Sequence, residues 1–111
     1  MITFDDFVKI DMRVGKILQV EDFERAHKPS YKVQVDFGTE IGIKWSSIQA
    51  KSEYSKEELI GREIIGVVNF PPKNIAGFMS EVLILGVPTN DGRVSLLEPS
   101  RKPAQLGGKV Y

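Results

Sequence analysis

A strict alternation of apolar and polar residues from Tyr31 to Phe37 limits the fold more than any other feature. Apolar side chains occupy every odd position of this segment, and Lys32, Gln34 and Asp36 stand between them. Because successive side chains of a β-strand point to opposite faces, the pattern predicts a strand with one buried and one exposed face. The fold must therefore contain a half-buried sheet.

The alternation continues after a Gly-Thr-Glu turn, at Ile41, Ile43 and Trp45. It predicts a further strand that pairs with the previous one, with Lys44 on the outer side. We therefore expect the hairpin to carry Lys32 and Lys44 together on a polar outer face.

Capping patterns mark two short helices. Thr3 with Asp6, and Ser55 with Glu58, have the residue types and the spacing of capping boxes. Strands are indicated by runs of β-branched and apolar residues between turn residues, and Gly15 predicts a bend or bulge in the first of them. The predicted strands lie near residues 12–20, 31–37, 41–45, 63–70 and 81–86, and the predicted helices near 2–10 and 56–60.

This order of elements is that of the OB-fold, a five-stranded Greek-key barrel with a helix between its third and fourth strands. The sequence thus predicts one all-β domain over residues 1–111, with short helices and with extensions at both termini. An SH3-like or other small barrel remains open from the strand count. OB-folds bind ligands on strands two and three and on two loops, which here are residues 31–45, 21–30 and 71–80.

The segment 71–80 has an unusual composition for a connection, Pro-Pro-Lys-Asn-Ile-Ala-Gly-Phe-Met-Ser. The prolines remove backbone donors and end the fourth strand. The residues after them supply a cation, hydrogen-bonding groups, an aromatic ring and a thioether, which favours recognition. The alternative is a lid, in which Ile75 and Phe78 fold back onto the core.

Composition excludes several classes of protein. The 111 residues contain no cysteine, no apolar run that could span a bilayer and no signal-peptide pattern at the N-terminus, and we expect a cytoplasmic protein. Lys and Arg number 15, as do Asp and Glu, so the formal net charge is zero. Binding of nucleic acid would therefore depend on a local patch and on shape.

No arrangement of residues predicts catalysis. His27 is the only histidine and lies among Arg25 and Lys28 in a loop, whereas a general base needs a partner and a pocket. The acidic residues form adjacent pairs, which lack the spacing of ligands for a hard cation. Gly-rich phosphate-binding patterns are absent. We expect no catalytic residue, no cofactor and no metal site.

Four segments of the chain resemble the tRNA-binding domain family: Asp-Met-Arg-Val-Gly at 11–15, Ala-His-Lys-Pro-Ser-Tyr-Lys at 26–32, Asn-Phe-Pro-Pro-Lys at 69–73 and Phe-Met-Ser-Glu at 78–81. The family includes the C-terminal domains of many methionyl-tRNA synthetases and stand-alone tRNA-binding proteins. The resemblance implies an OB-fold, a homodimer, and binding of tRNA or preprotein without catalysis. After the loop serine the chain continues Glu-Val-Leu, as in a branch of small export-related chaperones, where the broader family has Glu-Gly-Met.

Two functions follow as hypotheses. The first is tRNA binding, in which three lysines contact phosphates, three polar residues bind base edges or riboses and a methionine provides an apolar shelf. The predicted residues are, in that order, Lys32, Lys44 and Lys73; Asn69, Ser80 and Glu81; and Met79.

The second hypothesis is a chaperone that binds unfolded preprotein segments in an apolar groove, since Met and aromatic side chains adapt to varied partners. Its predicted residues are Trp45, Ile75, Phe78 and Met79. For either function we expect a homodimer, because apolar residues of the terminal extensions exceed what a small barrel can cover. The predicted interface residues are Phe4, Phe7, Leu106, Val110 and Tyr111.

Overall fold

Nine strands and three short helices make up the protein. The computed structural model describes residues 1–111. None of its helices is long and apolar enough to cross a membrane. The helices are α1 (Phe4–Val8), α2 (Gly38–Ile41) and α3 (Lys56–Leu59), and the strands are β1 (Met12–Asp22), β2 (Tyr31–Asp36), β3 (Ile43–Ile48), β4 (Glu63–Val67), β5 (Lys73–Ile75), β6 (Phe78–Ser80), β7 (Leu83–Ile84), β8 (Gly86–Pro88) and β9 (Val94–Leu96).

Five antiparallel strands form a nearly closed barrel in the order β3-β2-β1-β4-β7. The long strand β1 serves two neighbours: its first half pairs with β4 and its second half with β2. Helix α3 lies between β3 and β4 in the chain. The predicted OB-fold is therefore confirmed.

Gly15 allows β1 to pass close to β2. A Cβ atom at Gly15 would lie 2.5 Å from Cγ1 of Val35 and 2.7 Å from Cε1 of Phe37. Of the two features expected at Gly15, a bend or a bulge, the bulge is wrong in position, because the register of β1 shifts between Ile17 and Gln19. Glycine is needed at position 15 to leave room for the Phe37 ring.

The barrel closes between β3 and the segment that leads into β7. The N–H of Glu81 donates to the carbonyl of Trp45 at 2.8 Å, and the N–H of Trp45 donates to Oε1 of Glu81 at 2.9 Å. The hydroxyl of Ser46 donates to the carbonyl of Val82 at 2.8 Å. A side-chain carboxylate thus takes the place of a main-chain acceptor at this seam.

The core fills the barrel with side chains from β1, β2, β4 and α3. The alternation in β2 predicted its buried face correctly, because Val33, Val35 and Phe37 are fully buried. Leu59 of α3 is also fully buried. Burying one such side chain contributes about 1.5–3 kcal/mol.

Both capping boxes are present. The hydroxyls of Thr3 and Ser55 accept from the N–H groups of Asp6 and Glu58, whose carboxylates accept from the N–H groups of the two caps. Hydrogen bonds from Ser55 lower the pKa of Glu58. Gly61 follows α3 with a φ of +83°, a conformation that glycine adopts without strain.

The predicted third strand is wrong in its start and in its facing. Residues 38–41 form α2, so β3 begins at Ile43 and continues to Ile48. Trp45 pairs with Gln34, and Lys44 pairs with Val35. Paired residues of antiparallel strands share a face, so Trp45 lies on the outer face with Lys32, whereas Lys44 lies on the opposite face.

The segment predicted as a loop at 71–80 forms a hairpin of β5 and β6. Ile75 pairs with Phe78, and the two residues between them, Ala76 and Gly77, have φ values of +50° and +87°. Two positive φ values are the signature of a tight two-residue hairpin turn. The fourth barrel strand accordingly ends at Val67, before the predicted 63–70 is complete.

The fifth barrel strand is shorter than predicted. β7 pairs with β4, and the N–H of Leu85 still donates to Ile65. From Gly86 the chain leaves the barrel and pairs as β8 with β9.

The C-terminal extension returns to the barrel along β1. The N–H of Gly107 donates to Val14 at 2.8 Å, and the N–H of Val110 donates to Met12 at 2.9 Å. The guanidinium of Arg13 adds a bond to the carbonyl of Gly107 at 3.1 Å. Hydrogen bonds to Asp11, and to a lesser extent to Glu40, raise the pKa of Arg13, so this guanidinium stays charged.

Candidate nucleic-acid interface

Three aromatic rings and one ammonium group form a cluster on the outer face of β2 and β3. The ring of Phe78 lies edge-on to Phe23 at 5.3 Å and to Trp45 at 6.4 Å between centroids. The Nζ atom of Lys32 lies 5.0 Å from the ring of Phe23 and 5.1 Å from the ring of Phe78. The cluster stands where OB-folds bind their ligands.

A hollow of about 500 Å³ opens beside this cluster, and we call it the Trp45 hollow. Aromatic, apolar and charged side chains from β1, β2, β3 and the β5–β6 hairpin surround it. Its lining residues are Glu21, Lys32, Trp45, Pro72, Phe78, Met79 and Glu81.

Free cations surround the hairpin. Lys51 and Lys56 are both paired with Asp22 and lower its pKa, whereas Lys32 has no carboxylate within ion-pair distance. Arg25 is also without an ion pair. Its Nη1 atom lies next to the hairpin turn, because a Cβ atom built on Gly77 would be 3.8 Å from it. Lys32 and Arg25 are therefore unpaired cations beside the hairpin, and Glu21 and Glu81 are carboxylates at the same hollow.

Three of the predicted RNA-binding residues line the Trp45 hollow. They are Lys32, Met79 and Glu81. Lys73 is exposed at the start of β5 and contacts a different, larger hollow. Lys44 lies on the face opposite Lys32, because the side chains of β3 face the opposite way from the prediction.

Ser80 is used inside the barrel. It is 9% exposed, and its hydroxyl accepts from the N–H of Ser47 at 3.1 Å. The hydroxyl also lies 3.4 Å from that of Ser46. The prediction that Ser80 presents a surface hydroxyl to RNA is corrected on this ground.

Asn69 is similarly occupied. Its Oδ1 accepts from the N–H of Asp11 at 3.0 Å, and its Nδ2 donates to the carbonyl of Lys9 at 2.8 Å. The side chain joins the end of α1 to the segment after β4. It therefore positions the N-terminal helix, although it was predicted to bind RNA.

The larger hollow has a volume of about 750 Å³ and lies between the β5–β6 and β8–β9 hairpins. We call it the Leu83 hollow. Leu83 is 50% exposed there, Phe70 52% and Val87 46%. Ile75 lines this hollow, so the residues predicted to bind peptide are divided between the two sites.

The predicted dimer residues differ in exposure. Phe4 and Tyr111 are exposed, whereas Phe7, Leu106 and Val110 are half-buried. The rings of Phe4 and Phe7 lie 6.1 Å apart. Further apolar side chains on the N-terminal segment are also exposed: Met1, Ile2, Val8 and Ile10.

Sequence reasoning missed Phe23, Glu21 and Arg25. Phe23 is 4% exposed and holds the first loop against the hairpin. A single aromatic residue in the otherwise polar stretch from Glu21 to Ser30 was the available signal.

The chain matches the family described as "Putative tRNA binding domain" over residues 12–108. It is 42% identical over 110 residues to the methionine–tRNA ligase of Pyrococcus abyssi, and 46% identical over 109 residues to that of Neisseria meningitidis serogroup C. These alignments cover 98% and 97% of the chain but only 14% and 16% of the ligases. The chain thus spans about a seventh of the length of these relatives.

Solved structures that align over the whole chain include two CsaA proteins. The CsaA chaperone protein from Picrophilus torridus is 54% identical with a TM-score of 0.92, and all of both chains is aligned. The chaperone CsaA from Bacillus anthracis is 44% identical with a TM-score of 0.91, and 99% of its chain is aligned.

Proposed function

The chain belongs to the tRNA-binding domain family, and we propose that it binds tRNA without catalysis through the Trp45 hollow and the β5–β6 hairpin. The observation that carries this proposal is the cluster of Phe23, Trp45, Phe78 and Lys32 at the ligand-binding position of an OB-fold. Trp45 and Phe78 are partly exposed and can offer their rings to unpaired bases, while Lys32 can offer a cation to phosphates.

The charge of the molecule accords with a local site. Formal net charge is zero, so the whole protein does not attract RNA strongly. Lys32, Arg25 and Lys73 are free of ion pairs and lie at or beside the β5–β6 hairpin. Base stacking on aromatic side chains adds about 1–3 kcal/mol per base.

The lysines of β2 and β3 supply a matched pair of variants for the test. We expect Lys32→Ala to weaken tRNA binding by about tenfold, because a phosphate contact and its released counterion are lost. Lys44→Ala removes the same charge from the opposite face and leaves affinity within about twofold. Fluorescence anisotropy of labelled tRNA measures both. Equal effects of the two variants would contradict the proposed site.

A second candidate function is capture of unfolded polypeptide in the Leu83 hollow. Exposure of Phe70, Leu83 and Val87 around 750 Å³ favours it, as do the chaperone names of the two structures. An apolar peptide held there should bind equally well or more tightly as salt is raised, since burial of apolar surface is not screened. Leu83→Ser should abolish that binding and leave tRNA binding intact.

We also infer that the chain forms a two-fold dimer in the cytoplasm, where tRNA resides. Phe4 and Tyr111 are exposed, together with Met1, Ile2, Val8 and Ile10 near the N-terminus. Contiguous exposed apolar surface marks an interaction site, and the two-fold dimer is the commonest symmetric assembly. Two sites on one particle would increase avidity for a large RNA.

A further inference from the structure

Two carboxylates in the Trp45 hollow are not explained by binding to phosphates. Glu21 and Glu81 both line it, with Lys32 as the only cation among the lining residues. A surface that met only the RNA backbone would repel its ligand at these positions. Glu21 is exposed to solvent, whereas Glu81 accepts from the N–H of Trp45 through one oxygen and has its other oxygen free for a donor of the ligand.

Glu81 is held in a fixed position. Its N–H and one oxygen of its side chain are both bonded to the main chain of Trp45, at 2.8 and 2.9 Å. A carboxylate can accept about four hydrogen bonds, so most of its capacity is unused. Glu81 is half-buried and makes no ion pair, and the indole of Trp45 beside it is half-exposed.

We propose that the Trp45 hollow takes one unpaired guanine of the RNA. The base stacks on Trp45 and Met79, its N1–H and N2–H groups donate to Glu81, and its phosphate contacts Lys32. A volume of about 500 Å³ lies within the range of small-molecule sites, roughly 300–1,000 Å³. This assignment rests on the proposed tRNA binding.

Hydrogen-bonding capacity selects guanine among the four bases. Its Watson–Crick edge carries two adjacent donors that one carboxylate can accept together. Adenine and cytosine place an acceptor beside their single amino donor, and uracil places carbonyls on both sides of its N–H. Each would set an acceptor against Glu81, which repels it.

An arginine side chain of a peptide is also planar and also donates to carboxylates. Lys32 would repel a guanidinium and attract a nucleotide phosphate, whereas Glu21 and Glu81 at the same hollow would attract a guanidinium. N-acetylarginine amide is therefore the competing ligand in the test.

Trp45 is the only tryptophan, so its fluorescence reports directly on the hollow. We would titrate the intact protein with pentanucleotides U-U-X-U-U, in which the nucleotide X carries guanine, hypoxanthine (as inosine), adenine, cytosine or uracil. Guanine should bind about tenfold or more tightly than adenine, cytosine or uracil, in line with the discrimination of one bidentate base contact. Hypoxanthine, which lacks the N2 amino group, should fall between.

Two variants separate the roles of the carboxylates. Glu81→Gln keeps an oxygen for Trp45 but adds a donor, so the preference for guanine should fall below about threefold. Glu21→Gln removes the same charge at the other carboxylate of the hollow. It should strengthen the binding of all five ligands equally without changing the order of their affinities. Thermal unfolding checks that each variant is folded, and the order of the five ligands on the unaltered protein tests the inference without any variant.

Three outcomes would overturn the inference. They are equal affinities for the five pentanucleotides, unchanged Trp45 emission at millimolar pentanucleotide, and stronger quenching by N-acetylarginine amide than by the guanine ligand. If intact tRNA still binds in these cases, the proposed function survives and only the guanine site fails. If tRNA itself does not bind, the proposed function fails.

Discussion

At Ser80 a single hydroxyl joins two segments of the barrel wall. It accepts from the N–H of Ser47 and lies close to the hydroxyl of Ser46 and the carbonyl of Val82. Buried polar groups that lose a partner cost more than the average hydrogen bond contributes. Residues beside the ligand site can thus serve stability alone.

Ser80→Ala tests this stabilising role. It should lower the free energy of unfolding by about 1–3 kcal/mol, because the N–H of Ser47 loses its partner. Met79→Ala, at the neighbouring exposed position, should change it by less than about 0.5 kcal/mol. Urea denaturation measures both. A Ser80 variant as stable as the unaltered protein would show that its hydroxyl is not needed by the fold.

Gly15 gives a second prediction. An alanine there would place its Cβ within 3 Å of Val35 and the Phe37 ring, so overpacking should cost about 1–3 kcal/mol. Lys16→Ala, one position along at an exposed site, is the control. Similar melting temperatures for the two variants would contradict the close approach of β1 and β2.

At the scale of elements, α3 shows what a short helix needs. It has four residues, and it depends on the capping box of Ser55 and Glu58 and on the buried Leu59. Helices this short are unstable alone, so caps and tertiary contacts decide whether they form. Because α3 follows β3, its position also fixes where β4 enters the barrel.

Ser55→Ala should therefore cost about 0.5–2 kcal/mol, whereas Ser52→Ala, outside the cap, should be nearly neutral. The pKa of Glu58 is lowered in the folded state. Its stabilising effect is thus present above its ordinary value of 4.5 and is lost as the pH falls through the lowered value. Because Ser55→Ala keeps the N–H that donates to Glu58, the pH test uses Glu58→Ala: denaturation should show a smaller difference between this variant and the unaltered protein at pH 3 than at pH 7. A difference that does not change with pH would contradict the capping role of Glu58.

Local patterns predicted the fold well where neighbouring residues determine the structure. Alternation identified β2, and residue spacing identified both capped helices. The hairpin of β5 and β6 was missed because its turn is Ala76-Gly77 rather than the common Asn-Gly. The facing of β3 was wrong because α2 interrupts the alternation after Phe37.

The candidate site was less predictable because its contacts are distant in sequence. Asn69 bonds to residues 58 and 60 positions away, and Ser80 to one 33 positions away. No spacing rule reveals such pairs. Phe23 joins Phe78 only through the folded barrel.

At the scale of the whole molecule, the C-terminal extension belongs to the barrel. Main-chain bonds from Gly107 and Val110 reach β1, so deletion of residues 103–111 would remove part of the fold as well as any interface. Point substitutions at exposed positions are the better test of assembly.

We expect light scattering at micromolar concentration to give twice the chain mass of 12.4 kDa. Phe4→Glu should produce monomers, since it places charge within an apolar interface. Ile60→Glu, at an exposed apolar residue beyond α3, should leave the dimer intact. A monomeric unaltered protein would contradict the proposed dimer. A dimeric Phe4→Glu variant would show that the interface lies elsewhere.

The salt dependence of tRNA binding tests the central claim most directly. Two or three phosphate contacts predict that affinity falls at least about tenfold between 50 and 200 mM salt, and that Lys32→Ala lowers the slope of log K against log salt by about 1. Lys44→Ala should leave the slope unchanged. An affinity that is independent of salt, or a slope that Lys32→Ala does not alter, would contradict tRNA binding at the Trp45 hollow.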